Sequence, residues 1–418
     1  MHYVIIGNST AAVGAVEAIR GTDNRNPITI ISDEPYHTYS RPLISYFLAG
    51  KVTEEKMLYR PKNFYQDNKI GLYLGKRAVS LDVGSGKVCL EDDTRINYDR
   101  LLLATGGKPF VPKIEGLGKR NIFTFTTWDD VQRIKESLHE KTKAVVIGGG
   151  LTGLKAVESL TMLGVDVTVV ELADRLLSTI LDARAGAMIQ AVLEEKGVKL
   201  CLGTTAAEIL GEDKVSGVLL QDGTELECDM LIFAIGVTPN IDLVKETSIE
   251  TNRGILVDEH MRTSENGIYA AGDVAEGYDL LYRQNRVLAI LPNAYKQGEI
   301  AGMNMAGVPA AYPGGFAYNA ISFFGFPIIT AGLQSAEGAI QEYMEADPES
   351  KTYKKILFKD NKVIGFIFLN EVDRAGILTG IIRDNLDVEA FKDSIGSEQF
   401  GYACLPQRLR KERLFGGI

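Results

Sequence analysis

One pattern occurs twice in the sequence: a short apolar run, a turn of small residues and a helical segment. The first run covers residues 3–6 and ends at Gly7, and the second covers residues 144–147 and ends at Gly148. Neither run alternates between apolar and polar residues, which is typical of parallel strands buried on both faces. The repeat therefore predicts an α/β fold with two Rossmann-like dinucleotide-binding domains.

Each turn leads into a helix and then into another strand. The helical patterns cover residues 11–20 and 152–163, and the strands that follow them cover residues 28–31 and 165–170. In a strand–turn–helix unit of this kind, the diphosphate of a dinucleotide binds at the N-terminus of the helix. Two such units predict that one chain binds two nucleotides.

The second turn matches the GxGxxG dinucleotide pattern in full, at Gly148, Gly150 and Gly153. The three glycines permit the tight turn, the approach of the diphosphate and close helix–strand packing. Glu171 lies 23 residues after Gly148, where an acid accepts hydrogen bonds from a ribose 2′-hydroxyl and repels a 2′-phosphate. We therefore predict NAD(H) rather than NADP(H), bound by Gly148, Gly150, Leu151, Thr152, Gly153 and Glu171.

The first turn is a degenerate copy of the same pattern. Ser9 replaces the middle glycine and Ala12 the last one, and both are small enough to keep the geometry. By itself such a turn is also consistent with a purely structural strand–helix connection, but its duplication downstream favours a second dinucleotide. We predict that this nucleotide contacts Gly7, Ser9, Ala11, Ala12 and the ribose acid Glu34.

The overall charge argues against nucleic acid as a ligand. The formal net charge is −10, so the chain has no bulk attraction for the phosphates of DNA or RNA. One basic segment near the end of the chain is an exception, and it indicates either a solvated helix face or a docking patch for an acidic partner. Its residues are Arg408, Arg410, Lys411 and Arg413.

The four cysteines stand apart from one another, without the CxxC or CxxxxC spacing of a zinc site or a redox disulfide. We therefore predict no metal. No apolar run reaches the ~18 residues of a membrane span, and the apolar start of the chain is too short for an export signal. These features favour a cytoplasmic location.

Four further segments accompany the two turns in a regular order along the chain. They are residues 101–106, 234–240, 268–274 and 294–298. Together with the turns they resemble the motifs of the pyridine nucleotide–disulphide oxidoreductase superfamily, which comprises flavoproteins with two dinucleotide sites. The resemblance covers nearly the whole chain. The most similar subgroup is the NADH:rubredoxin and ferredoxin reductases and the flavin portion of nitrite reductases, whose hallmark resembles residues 39–45.

The resemblance implies that FAD occupies the first turn, and it adds contacts to both nucleotides. For FAD these are Arg41, Pro42, Ala104, Thr105, Gly106, Gly272, Asp273, Ala294 and Tyr295, with Asp273 on the ribityl chain. For NAD they are Ala234, Ile235 and Gly236. A glutathione reductase-like arrangement is also implied, with an FAD domain of residues 1–107 and 239–315, an NAD domain of residues 108–238 and a C-terminal α+β interface domain of residues 316–418.

One departure from the family determines the expected chemistry. Its disulphide reductases carry cysteines beside the flavin, but this chain has none between Tyr36 and Leu74, and an absent thiolate cannot relay electrons. We therefore expect an FAD-dependent NAD(P)H oxidoreductase that passes electrons from NADH to a protein acceptor, rubredoxin or another iron–sulfur protein. It would act alone, as a homodimer, or as the flavin subunit of a larger complex joined through the C-terminal domain. The alternatives are an NADH oxidase that uses oxygen directly and a non-catalytic, nucleotide-sensing flavoprotein.

A second departure concerns two charged positions. In the family, a lysine usually stands at the position of Tyr46 and a glutamate at the position of Lys155, and the two form a pair beside the flavin. Since both members of that pair are replaced, we expect Lys155 to be an unpaired cation close to the flavin, with Tyr46 also nearby, and to favour the anionic reduced flavin. The alternative is a lysine whose stem lies along an exposed helix. Phe323 and Phe324 are either a wall beside the flavin or ordinary core aromatic residues.

Overall fold

The structure is a computed structural model that describes residues 1–335, 338, 340–397, 400–407 and 410. Most of the basic segment near the chain end, namely Arg408, Lys411 and Arg413, lies outside the described residues. The chain divides into two compact units, which we call unit 1 and unit 2. Unit 1 comprises Met1–Lys113, Asn121–Glu140 and Ile232–Gly315, and unit 2 comprises Ile114–Arg120, Lys141–Leu231 and Phe316–Ile418.

The described residues form 26 strands, most of them short. They are β1 (Tyr3–Ile6), β2 (Ile28–Ser32), β3 (Ile70–Leu74), β4 (Ala78–Asp82), β5 (Lys87–Leu90), β6 (Arg95–Asn97), β7 (Arg100–Leu103), β8 (Gly107–Pro109), β9 (Ile122–Thr124), β10 (Lys143–Ile147), β11 (Asp166–Glu171), β12 (Lys199–Leu202), β13 (Ala206–Leu210), β14 (Gly217–Leu220), β15 (Glu225–Glu227), β16 (Met230–Phe233), β17 (Val237–Pro239), β18 (Ile255–Leu256), β19 (Ile268–Ala270), β20 (Ala275–Asp279), β21 (Gln284–Val287), β22 (Tyr318–Phe323), β23 (Phe326–Gly332), β24 (Gln341–Asp347), β25 (Thr352–Lys359) and β26 (Lys362–Leu369).

The same part of the chain forms nine α-helices and four short 3₁₀ helices. The α-helices are α1 (Thr10–Thr22), α2 (Ile44–Leu48), α3 (Glu54–Met57), α4 (Phe64–Asp67), α5 (Trp128–Glu136), α6 (Leu151–Met162), α7 (Ala183–Glu194), α8 (Leu291–Met305) and α9 (Ala375–Arg383). The 3₁₀ helices are Arg41–Leu43, Asp242–Val244, Glu389–Ser394 and Tyr402–Cys404. None of the helices in the described residues has the length and apolar character needed to cross a membrane.

Unit 1 is built on a five-stranded parallel sheet with the strand order β19-β7-β1-β2-β3. Every residue of β1 and of β2 is buried, as expected for strands covered on both faces. Tyr3 pairs with Ile28 on one side and with Arg100 on the other. The apolar residues of this sheet and of α1 form one continuous core. The first predicted strand–turn–helix–strand unit is therefore confirmed.

Helices α1 and α8 of unit 1 pack with their backbones in contact. A Cβ atom added at Gly298 would lie 2.0 Å from the Ala11 carbonyl oxygen, and one added at Gly14 would lie 2.4 Å from the Tyr295 carbonyl oxygen. Real Cβ atoms essentially never approach another atom closer than 3.0 Å. Only glycine therefore permits this separation between the two helices.

Unit 2 contains the second copy of the repeat. Strands β10, β11 and β12 pair in parallel, and β10 leads into the turn before α6. The C-terminal part of the unit is an antiparallel sheet with the order β22-β23-β26-β25-β24. Its β25–β26 turn has positive φ angles at Asp360 (48°) and Asn361 (57°), as a two-residue type I′ hairpin requires. The second repeat and the α+β character of the C-terminal region are confirmed.

Buried polar contacts join the C-terminal sheet to the nucleotide-binding part of unit 2. One oxygen of Asp182 caps α7 by accepting the Ala185 N–H at 3.0 Å. The other oxygen accepts the Tyr353 hydroxyl at 2.6 Å and the Lys355 ammonium at 3.2 Å. Both parts of the chain consequently belong to one compact unit.

One segment belongs to a different unit from its neighbours in the sequence. Asn121–Glu140 lies inside the range assigned above to the NAD domain, but it is part of unit 1. Trp128 at the start of α5 stacks on Tyr36, with ring centroids 5.1 Å apart, and contacts Phe47 at 5.5 Å. These partners are distant in sequence, so local patterns could not predict the contacts.

We predict that Gly298→Ala destabilises unit 1 by about 1–3 kcal/mol, because its methyl group would overlap the Ala11 carbonyl oxygen. Urea unfolding followed by circular dichroism measures the shift in midpoint. Gly21→Ala is the matched control, since Gly21 lies in α1 and a Cβ there has no atom within 4 Å; it should be neutral or stabilising. Equal midpoints for Gly298→Ala and the unchanged protein would contradict the backbone contact.

Candidate functional site

The turn after β1 shapes the predicted FAD site in unit 1. Gly7 has a φ of 116°, and a Cβ atom there would lie 2.1 Å from the Ala104 carbonyl oxygen. Only glycine therefore lets the chain pass the end of β7. The Asn8 side chain fixes the turn, because it donates to the Tyr36 carbonyl at 3.1 Å and accepts the Tyr65 hydroxyl at 2.8 Å. Asn8 and Tyr65 were not predicted, since neither belongs to the GxGxxG pattern.

Helix α1 begins at this turn without a side-chain cap. Its N-cap residue, Ser9, makes no side-chain hydrogen bond to the first turn, although serine is among the residues that do so most often. Thr10, Ala11 and Ala12 are buried. The first N–H groups of a helix need partners and carry a partial positive charge, so this helix start fits an anionic diphosphate.

A second loop of unit 1 meets α1 at the same place. Gly272 has a φ of 82°, and a Cβ atom there would lie 3.3 Å from the Ala11 Cβ and 3.6 Å from the Ala294 Cβ. Asp273 has no hydrogen-bond partner among the described residues, and burial raises the pKa of its carboxyl. A carboxylate that is partly removed from water gains from a hydrogen-bond donor, and the hydroxyls of a ribityl chain would supply one. The structure thus brings together four of the residues predicted for FAD.

The predicted ribose acid, Glu34, is held by two side chains. Arg41 pairs with one carboxylate oxygen, and the Tyr39 hydroxyl donates to the other at 2.5 Å. Arg41 also donates to the Thr126 carbonyl at 3.0 Å. A carboxylate has about four lone-pair positions, so Glu34 can still accept hydrogen bonds from ribose hydroxyls. Tyr39 was not among the predicted site residues, although it opens the segment that resembles the subgroup hallmark.

The predicted residues Thr105 and Gly106 lie between β7 and β8 of unit 1. Thr105 Oγ1 donates to the Asn240 carbonyl at 2.7 Å, and the Asn240 N–H donates to the Gly106 carbonyl at 2.8 Å. These bonds join the residues just before β8 to the residue just after β17, and they extend the pairing of the two strands. Three residues predicted for NAD also belong to unit 1, whereas the other NAD residues belong to unit 2. They are Ala234, Ile235 and Gly236.

The turn after β10 shapes the predicted NAD site in unit 2. Gly148 has a φ of 115°, and a Cβ atom at Gly149 would lie 2.7 Å from the Leu176 side chain. Gly150 is the N-cap residue of α6 and provides no side-chain cap. A Cβ atom at Gly150 would meet no described atom within 4 Å. The first turn of α6, residues 151–153, is therefore open to a diphosphate.

Glu171 stands beside this helix start, at the end of β11. One of its carboxylate oxygens accepts the Gly149 N–H at 2.5 Å, and the other accepts the Ala173 N–H at 2.8 Å. Each oxygen retains a lone pair for a ribose hydroxyl. The acid has the position expected of a ribose ligand in a dinucleotide-binding unit.

Three other predicted residues of unit 1 have contacts of their own. The Tyr295 hydroxyl donates to Glu17 at 2.7 Å and so joins α8 to α1. Pro42 lies in the 3₁₀ helix Arg41–Leu43 and is exposed. Tyr46 lies in α2, with the Lys51 ammonium 5.7 Å from its ring centroid. A catalytic role for Tyr46 stays a prediction.

Lys155 is not the unpaired cation that the sequence led us to expect. Its ammonium donates to the Glu158 carboxylate at 2.5 Å and to the Ser322 carbonyl at 3.0 Å. Glu158 also accepts the Phe324 N–H at 2.7 Å. The Lys155 and Glu158 side chains are only 12% and 9% exposed. The acid missing at position 155 is thus supplied one helical turn later, at an i,i+3 spacing that the sequence displays.

Phe323 is the last residue of β22 and Phe324 is the first residue of the turn to β23, both in unit 2. Phe323 is fully buried, and its ring centroid lies 5.6 Å from the Lys155 ammonium. Phe324 and Gly325 have positive φ angles of 51° and 83°, as in a two-residue hairpin turn. Phe323 therefore fits the interpretation as a core aromatic residue.

Helices α1 and α6 each begin without a side-chain cap, and each has an acid, Glu34 or Glu171, at or just after the end of the next strand. This arrangement is that of a protein with two dinucleotide sites. Residues 1–298 match the family described as pyridine nucleotide-disulphide oxidoreductase, and residues 318–386 match the rubredoxin NAD+ reductase C-terminal domain. The chain belongs to the pyridine nucleotide-disulphide oxidoreductase family. The predicted fold class, the enzyme class of FAD-dependent NAD(P)H oxidoreductase and the cofactors FAD and NAD(H) are confirmed.

Three curated relatives match most of the chain. The nitrite reductase (NAD(P)H) of Bacillus subtilis (strain 168) is 32% identical over 94% of this chain and 48% of its own length. The NADH-dependent phenylglyoxylate dehydrogenase subunit epsilon of Aromatoleum evansii is 32% identical over 92% of each chain. The rubredoxin-NAD(+) reductase of Pseudomonas putida is 29% identical over 92% of this chain and 99% of its own. The chain thus spans about half the length of the nitrite reductase and nearly all of the other two.

A solved structure extends the comparison to three dimensions. In the covalent putidaredoxin reductase–putidaredoxin complex, one chain matches this structure with a TM-score of 0.87 at 26% identity. The match covers 95% of this chain and 96% of that chain. The predicted resemblance to rubredoxin and ferredoxin reductases is confirmed.

We predict that Glu158→Ala destabilises unit 2 by about 3–5 kcal/mol, because it removes the carboxylate that pairs with the largely shielded Lys155 ammonium. Glu299→Ala is the matched control, since Lys296 and Glu299 form the same i,i+3 pair at 2.7 Å in a more exposed position. Its loss should cost less than about 1 kcal/mol. Urea midpoints measure both changes. Equal losses would show that burial does not determine the strength of the Lys155–Glu158 pair.

Proposed function

We propose that this chain passes electrons from NADH through FAD to a protein acceptor, rubredoxin or another iron–sulfur protein. FAD, when bound, supplies the chemistry, since it accepts a hydride from NADH and can release electrons singly. The observation that carries the proposal is the combination of two open helix starts with the absence of cysteine between Tyr36 and Leu74. Electrons that cannot pass to a disulphide beside the flavin need another acceptor.

Two of the four cysteines of the chain, Cys201 and Cys228, support an acceptor outside it. Burial raises the pKa of the Cys228 thiol to about 12, and burial also raises the pKa of Cys201. The thiolate, not the thiol, is the reactive form in disulphide exchange. Neither cysteine is therefore suited to relay electrons at neutral pH.

In unit 1, several of the predicted residues have a proposed role toward FAD. The start of α1 offers N–H groups to the diphosphate, Glu34 accepts hydrogen bonds from ribose hydroxyls, and Asp273 accepts one from the ribityl chain. Gly7 keeps a side chain away from Ala104 at the end of β7, and Gly272 keeps one away from Ala11 in α1. The residues present therefore fit FAD, and binding it would satisfy the Asp273 carboxylate.

In unit 2, the start of α6 and Glu171 form the proposed NADH site. Gly150 leaves free space at the helix start, and Glu171 is fixed by two backbone N–H groups. A fixed carboxylate at the ribose disfavours the 2′-phosphate of NADPH by charge repulsion. NADH is therefore the proposed electron donor.

The names of the relatives support a redox protein as the acceptor. The Pseudomonas putida relative is a rubredoxin-NAD(+) reductase, and the solved relative forms a covalent complex with putidaredoxin. The Aromatoleum evansii relative is a subunit, which supports a role in a larger complex as well as a free-standing one. Association through the C-terminal region and a cytoplasmic location stay proposals from the sequence.

We predict that NADH bleaches the visible absorbance of the FAD-loaded protein under anaerobic conditions, because a bound flavin reduced by hydride loses that absorbance. Oxidised rubredoxin should then restore the colour faster than air-saturated buffer does. Stopped-flow absorbance measures both steps. The same experiment with NADPH is the control for the choice of nucleotide.

Two results of this experiment would replace the proposal. Fast reoxidation by air, with no acceleration by rubredoxin, would identify an NADH oxidase. A bound flavin that NADH does not bleach would identify a nucleotide-sensing protein without catalysis. A protein that cannot be loaded with FAD at all would contradict every version of the proposal.

We predict that Glu171→Gln lowers the preference for NADH over NADPH by about tenfold, because it removes the charge that repels a 2′-phosphate. The ratio of kcat/KM values for the two nucleotides measures the change. Asp174→Asn is the matched control: it removes one negative charge nearby, from a side chain that is 79% exposed and pairs with Arg175. An unchanged ratio in Glu171→Gln would exclude Glu171 as the ribose acid.

A further inference from the structure

Tyr39 connects the predicted ribose acid of unit 1 to the start of α5. Its hydroxyl donates to Glu34 Oε2 at 2.5 Å and accepts the backbone N–H of Trp128 at 3.1 Å. The Tyr39 side chain is buried, and burial raises the pKa of its hydroxyl. Tyr39 therefore acts as a neutral donor toward Glu34 at all physiological pH values.

The other oxygen of Glu34 is fixed independently. Arg41 pairs with Glu34 Oε1 and donates to the Thr126 carbonyl at 3.0 Å. Asp130 holds Thr126 in turn, since its carboxylate accepts the Thr126 N–H at 2.9 Å. Tyr39 and Arg41 thus hold the two oxygens of one carboxylate, and both are anchored to the segment that precedes and begins α5.

This arrangement leaves part of Glu34 available. Of the roughly four lone-pair positions of a carboxylate, Tyr39 and Arg41 occupy two. The remaining positions have a defined direction, because the carboxylate cannot rotate without breaking one of these bonds. A defined direction favours a rigid ligand with two adjacent hydroxyls, such as a ribose.

We propose that Tyr39 is a positioning residue for FAD binding: Tyr39 orients the Glu34 carboxylate so that it accepts hydrogen bonds from the ribose hydroxyls of the adenosine. The inference rests on the proposed function in one respect, namely that FAD binds in unit 1. Tyr39 itself need not touch the cofactor. Its effect on FAD binding therefore depends on Glu34.

The first test measures the dissociation constant of FAD for the apoprotein by fluorescence titration. Tyr39→Phe should weaken binding by about tenfold, because the lost hydrogen bond goes to a charged group. Tyr36→Phe is the matched control: it makes the same substitution three residues earlier, and its hydroxyl donates to Asp129 instead. It should change the constant less than about twofold. An unchanged constant in Tyr39→Phe would overturn the inference.

The second test separates positioning from a general structural role. If Tyr39 acts through Glu34, Tyr39→Phe should have almost no further effect in a Glu34→Gln background. Additive losses in the double variant would overturn the inference, even if the single variant binds FAD weakly. Trp128 is the only tryptophan of the chain, and its ring centroid lies 5.3 Å from that of Tyr39. Its unchanged emission should show that Tyr39→Phe apoprotein keeps the local fold.

The two proposals fail in different ways. If the unchanged protein does not bind FAD, the proposed function is wrong and this inference is wrong with it. If the unchanged protein binds FAD and Tyr39→Phe binds it equally well, only the role of Tyr39 is wrong. A shifted Trp128 emission together with additive losses would assign Tyr39 to the core rather than to the site.

Discussion

The stability of unit 1 and its proposed binding of a ligand both depend on the N-terminus of α1. A helix start without a side-chain cap gives up about 1 kcal/mol of stabilisation, and here the residues around it are buried. The backbone contact with α8 at Gly298 holds this start in place. Because an anionic diphosphate would satisfy the uncapped N–H groups, ligand binding and the stability of the unit are linked, and FAD should stabilise the folded protein by mass action.

The acids predicted for the two nucleotide sites, Asp273 in unit 1 and Glu171 in unit 2, differ in their hydrogen bonds. Asp273 is partly buried and has no hydrogen-bond partner in the described part of unit 1, and desolvation raises the pKa of its carboxyl although the Arg41 charge opposes this shift. Glu171 is instead satisfied by two backbone N–H groups of unit 2. A ligand that donates a hydrogen bond to Asp273 would therefore gain more from that bond than one that donates to Glu171, whose oxygens already have donors.

The sequence predicted those features that depend on neighbouring residues. The two strand–turn–helix units and their glycine turns follow from local spacing, and the structure has each of them. The contacts of Trp128 with Tyr36 and Phe47 could not be predicted, because they join segments far apart in the chain. Strand β24 was also missed, since its exposed face carries charged residues in place of an apolar pattern.

The error at Lys155 has a different origin and a chemical consequence. The residue that replaces the family's glutamate is Lys155, and Glu158, three positions later on the same helix, pairs with it. With the two charges in contact, the second turn of α6 is electrostatically close to neutral. Lys155 is therefore not a lone cation that could stabilise a negative charge on the reduced flavin. The pair instead fixes the chain where β22 ends, because Lys155 binds the Ser322 carbonyl in β22 and Glu158 binds the N–H of Phe324, the first residue of the turn to β23.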